Sequence, residues 1–121
     1  MAEVLLQESI LNSVKKINHL SSDYPAFDDD ITMFINSILP ILWQVGIGVK
    51  GFRVTSKDDT WEDFLGDSAF ETQGMVTSYV ALRVRLVFDP PQSSALYAAI
   101  KEETKELEWR LNVQVDPGEE L

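Results

Sequence analysis

The run Phe88-Asp89-Pro90-Pro91-Gln92 lies between two apolar-patterned segments near the C-terminus and constrains the fold more than any other feature of the chain. Pro90 pushes Asp89 out of the helical region, so the segment before the run must stop there. The same residues suit a helix start. Asp89 can serve as N-cap, Pro90 can occupy the first helical position, where a missing N–H costs nothing, and Gln92 then falls at N3 to close a capping box. The expectation is a rigid corner that fixes the relative direction of two long elements.

Composition bounds the class. A chain of 121 residues, 45% apolar with 12 aromatic side chains, is expected to form one globular domain. The absence of cysteine excludes disulfides, thiolate zinc sites and a cysteine nucleophile. With no leader pattern and no long apolar run, the expectation is a soluble intracellular protein with no membrane association. The net charge of −10 argues against a binder that neutralises nucleic-acid phosphates. It suits solubility, a basic partner, or a wall past which DNA slides without sticking.

Along the chain, residues 3–20 read as an amphipathic helix with Leu6, Ile10, Val14 and Ile17 on one stripe. Its late Lys15 and Lys16 complement the helix dipole. A second helix is predicted from Asp28-Asp29-Asp30 to about Val45, with Ile31, Phe34, Ile35, Ile38, Leu39 and Leu42 as a broad apolar face. Pro40 predicts a kink or a break within it. Residues 46–60, punctuated by Gly46, Gly48 and Gly51, suit a short hairpin or an extended loop. Thr60 is predicted to cap a short helical turn anchored by Trp61, Phe64 and Leu65. Residues 71–88 fit a helix and a strand equally well by periodicity. Residues 90–112 read as a helix with Leu96, Ile100, Leu107 and Leu111 on its stripe and an i,i+4 pair of Glu106 and Arg110. Residues 113–121, acidic and ending Pro-Gly-Glu-Glu-Leu, predict an extended or disordered tail.

Catalytic constellations are scarce. His19 is the sole histidine, which excludes paired-histidine metal motifs; at a helix C-terminus its imidazole suits the dipole. Asp28-Asp29-Asp30 lacks calcium-loop spacing and is explained by a helix start. The Gly46-x-Gly48-x-x-Gly51 spacing is a weak match to a nucleotide-binding turn. Arg83 and Arg85 would share a face on a strand and lie about 200° apart on a helix. Ion pairing within the chain is the plain reading of both, and a partner contact the sharper one. Trp43 is assigned to the core, whereas Trp61 and Trp109 border charged segments and are candidate interface anchors.

Taken together, several segments resemble the head–tail connector (adaptor, or head-completion) proteins of long-tailed bacteriophages. These are Phe27-Asp28-Asp29-Asp30-Ile31 with Ile35-Asn36, Leu42-x-x-x-Gly46, Thr60-Trp61-x-Asp63-Phe64-Leu65, and Tyr79-Val80-x-Leu82-x-Val84-Arg85-Leu86. Phe88-Asp89-Pro90-Pro91 and Glu106-Leu107-Glu108-Trp109-Arg110-Leu111 complete the set, and the resemblance spans residues 5–112. It implies a mainly α fold, a small bundle of four to five helices over residues 1–112, with residues 71–88 helical. It also implies a virion component without catalysis, cofactor or metal. Such a component forms a ring, commonly about twelve copies, that extends the DNA channel under the portal towards the next connector or tail-completion protein. Partner or ring-contact candidates are Trp61, Phe64, Arg83, Arg85, Trp109 and Arg110. Two further classes are weighed: an acidic helical inhibitor or DNA mimic that occupies a basic partner, and a small metal-dependent enzyme using residues 28–30.

Overall fold

Helix α4 (Ala69–Phe88) takes the stretch whose pattern fits two periods, and it forms the centre of the molecule. The computed structural model describes residues 8–66 and 69–115. Around α4 stand α1 (Ile10–Ile17), α2 (Asp28–Gln44), α3 (Trp61–Leu65) and α5 (Ser94–Val115), and each of the four packs against it. The result is a small, mainly α bundle. Neighbours around much of its circumference explain why α4 has no clean stripe: Val76, Tyr79, Val80, Ala81 and Val84 are all buried.

Helix α1 begins later than its sequence pattern suggests. Ser9 caps it, its hydroxyl accepting from the Asn12 N–H at 3.1 Å, so Glu8 and Ser9 precede the helix. Residues 3–7 of the expected helix, with Leu6 of its stripe, lie outside the described residues. At its other end His19 adopts a left-handed φ of 64°. The His19 N–H donates to the Lys16 carbonyl and the Leu20 N–H to the Lys15 carbonyl. This pair of bonds closes the helix in the position usually given to glycine.

Lys15 is the main surprise of this region. It is fully buried instead of lying along the helix surface, with Nζ 2.7 Å from Asp28 Oδ1 and donating to the Tyr24 carbonyl at 2.9 Å. The lysine therefore ties the α1–α2 loop to the first residue of α2. Asp28, Asp29 and Asp30 form the first turn of α2, where carboxylates suit the positive end of the helix dipole. The helix then runs unbroken through Pro40. One lost backbone bond is outweighed by a buried face of Ile31, Ile35, Ile38, Leu39 and Leu42 on both sides of the proline.

Residues 46–60 form a loop of turns, with no strand in it and none elsewhere among the described residues. Asn36 clamps the loop by exchanging two hydrogen bonds with the Val54 backbone, at 2.8 and 2.9 Å. Gly48, at φ +86°, lies against the Phe64 ring, where an added Cβ would come within 2.3 Å of Phe64 Cζ. The glycine spacing thus serves a packing contact between backbone and ring. Asp59 closes the loop by accepting from the Thr55 and Ser56 N–H groups and the Thr55 hydroxyl. Burial pushes its carboxyl up, but these bonds outweigh burial and hold it below the usual carboxylate range. Thr60 caps α3, as its sequence predicts, and the Asp63 carboxylate completes a capping box by accepting from the Thr60 N–H.

The Asp-Pro-Pro corner does separate two helices, but the second starts four residues after Pro90. Ser93, not Asp89, caps α5, its hydroxyl accepting from the Leu96 N–H at 3.2 Å. Pro91 disfavours the helical region at Pro90 just as Pro90 does at Asp89, so residues 89–93 stay outside both helices. Residues 94–99 are exposed, Leu96 at 46%, so α5 begins as an overhang and buries side chains only from Ile100 onward. At the other end α5 continues to Val115, past the boundary expected at residue 112. The acidic tail from residue 116 lies outside the described residues.

Candidate functional site

Of the six residues singled out for partner contact, two are internal. Trp61 is 0% exposed, and its indole N–H donates to the Ser13 hydroxyl at 2.8 Å. Phe64 is equally buried, against Gly48 and Phe52. Both point inward because α3 is a single turn held by pairing between its start and the start of α1. The Ile10 N–H donates to the Asp59 carbonyl, and the Trp61 N–H to the Glu8 carbonyl. The expectation that Trp61 and Phe64 meet a partner is therefore corrected: the core has already satisfied them. Trp43, assigned to the core, is only half-buried and carries Lys50 over its ring at 5.2 Å.

Arg83 is engaged within the chain. Its guanidinium donates to the Tyr79 hydroxyl at 2.8 Å, and that hydroxyl donates to Glu108 Oε2 at 2.6 Å. Arg83 and Glu108 also approach to 3.7 Å. The trio pins α5 to α4 at one point. Burial first, then the bond to Glu108, hold the Tyr79 phenol above its ordinary range, while Arg83 acts in the opposite sense. Arg85, half-exposed and turned about 200° from Arg83, forms no ion pair among the described residues.

The remaining two candidates lie together on the outer face of α5. Ile100, Thr104, Leu107 and Leu111 form its buried stripe, and a period of 3.6 residues puts Trp109 directly opposite. Trp109 is 63% exposed, the most exposed large apolar side chain among the described residues. With Ala99, Glu102, Glu103, Lys105 and Glu106 it lines an open groove of about 650 Å³. Arg110 flanks the groove and pairs with Glu106 at 3.6 Å, the i,i+4 pair expected from the sequence. Both partners are more than half exposed, so the pair adds little stability. Isolated surface apolar residues are ordinary, but a tryptophan at the centre of a free helix face is the residue type that anchors protein contacts.

Chemistry of other kinds finds less support. Among the described residues no group of three His, Cys, Asp or Glu side chains is arranged to hold a metal ion, and no helix is long and apolar enough to cross a membrane. Asp28, the first of the three consecutive acids, is engaged by Lys15.

The family model described as phage connector protein matches residues 10–118, which takes in all five helices of the described residues. No curated protein and no solved structure matches the chain.

Proposed function

Because the chain belongs to the phage connector protein family, we propose that it is an adaptor assembled as a ring beneath the portal, joining head to tail and extending the DNA channel. Membership makes it a structural phage protein of the virion that associates with portal and head–tail components. The ring, its copy number near the twelve common to such adaptors (about twelve), and passage of DNA without specific binding are the finer reading. The family match over residues 10–118 carries it. The charge of −10 supports it, since an acidic wall repels the phosphates that must slide past.

Ring contacts join one face of a subunit to a different face of the next. Trp109, Arg110 and Arg85 are the candidates left with exposed surface for such a seam, together with the outer side of Arg83. Arg85→Glu is expected to weaken assembly about tenfold or more without changing the helical circular dichroism of the isolated chain. Loss of helicity in that variant would assign Arg85 to the fold instead.

The experiment for the function is a pull-down of tagged protein from phage-infected cells, with mass spectrometry and negative-stain imaging. Portal and head proteins in the eluate, with ring-shaped density, are the expected result. Recovery of one basic host enzyme and no phage structural protein would replace the adaptor with an acidic inhibitor.

A further inference from the structure

We infer that the outer face of α5 is the seat for the Val49–Lys57 loop of a second copy of this chain, an inference that rests on the ring reading and assigns its seam. Trp109 stands at 63% exposure on a helix face with no neighbour among the described residues, in a groove whose lining sets Glu102, Glu103 and Glu106 against one base, Lys105. Glu102 and Glu103 form no ion pair among the described residues. A groove of this kind takes a segment that is basic and partly apolar.

The chain itself carries one such segment. Lys50, Arg53 and Lys57 fall within eight residues that contain no acid, three of the ten cations of the whole sequence. None of the three forms an ion pair among the described residues, and all are exposed. Val49 beside them is exposed as well, offering apolar surface next to the cations. The loop is firmly held by the Asn36 clamp on Val54, the Val49 N–H bond to the Phe64 carbonyl and the Asp59 closure, so presenting it costs little ordering.

Charge and placement both favour a second copy. Two molecules of charge −10 repel, and association requires that a local concentration of cations meet a local concentration of acids. The loop is anchored to α2 and α3, whereas α5 is attached chiefly to α4 and turns Trp109 away from it. The two surfaces are therefore separate faces of one subunit, the arrangement a head-to-tail ring contact needs. An arginine from the loop laid over Trp109 would add a cation–π contact to the charge pairing.

The test is charge exchange, read by electron microscopy and by quantifying the connector that co-sediments with DNA-filled, tailless heads of the phage. Three variants are compared with the native chain: Arg53→Glu with Lys57→Glu, Glu102→Lys with Glu106→Lys, and all four together. All four positions are exposed, and unchanged circular dichroism verifies each fold. Each double variant should lower ring occupancy at least about tenfold, and the fourfold variant should recover to within about threefold of native. A fourfold variant no better than the weaker double, or doubles that assemble like the native chain, would overturn the contact while the ring stands. Absence of any ring with the native chain would overturn the ring reading, and this contact with it.

Discussion

Trp61 and Trp109 are the same side chain in two regions with opposite needs. Around Trp61, the starts of α1 and α3, from distant parts of the sequence, close on one another: the indole N–H meets Ser13 Oγ, and the Glu8 carbonyl meets the Trp61 N–H. Around Trp109, one helix presents a face that no other described residues cover. The first region spends its tryptophan on folding, the second keeps it for contact. The difference teaches that residue type alone does not mark an interface; what marks it is a large apolar side chain left over after the core is complete.

Four measurements can break or sharpen that contrast. The largest effect is expected from Trp61→Ala, which should cost about 3–5 kcal/mol in chemical unfolding because a fully buried indole is removed and Ser13 loses its donor. A cost below about 1 kcal/mol would mean that α3 is not part of the cooperative unit. Gly48→Ala follows, at about 2–5 kcal/mol, from the left-handed φ and the clash with the Phe64 ring together. Tolerance of alanine there would show that the loop can shift off Phe64, and the Trp61 region would then be less rigid than its hydrogen bonds imply.

Between the two regions, Tyr79 joins the core helix to α5, and its titration gauges that junction. Its phenol is held above the ordinary value, so the neutral form is favoured by folding. The resulting stability is fully present below about pH 10 and is lost as pH rises through the raised value. Tyr79→Phe should cost about 1 kcal/mol at neutral pH and flatten that alkaline slope. An unchanged slope would assign the alkaline loss to other groups. The smallest effect on folding belongs to Trp109→Ala, within about 0.5 kcal/mol, although assembly on phage heads should fall sharply. A destabilised fold in that variant would erase the contrast from which this comparison starts.

Much of this could be read before any fold was known. The apolar stripe of α1 from Ile10 onward, the face of α2, the Thr60 cap and the Glu106–Arg110 pair are local features with local causes, and each stands where its spacing predicts. Trp109 was singled out as a contact candidate because it borders charged segments, the same reason that misplaced Trp61, and only the fold separates the two. The misread elements have two other causes. Ser93 caps α5 because Pro91 bars Pro90 from the helix, a restriction that competes with the capping pattern of Asp89 and Gln92. Lys15 could not be found, since a lysine at the end of an amphipathic helix is normally solvated, and only the return of Tyr24 and Asp28 above it supplies the partners that make burial tolerable.

By itself, then, the sequence determined most of the described helices, most of the stops between them and the net negative charge, because capping, proline restriction and side-chain periodicity act over a few residues. Residues 71–88, whose pattern fits two periods, became a helix by packing. The tertiary structure decided which of two tryptophans is spent in the core, which of two arginines is held internally and which glycine must stay glycine. Those outcomes depend on what arrives from elsewhere in the chain: Ser13 across 48 positions from Trp61, and Glu108 across 29 from Tyr79. Burial is a property of neighbours, and neighbours that far apart are fixed only when the bundle closes.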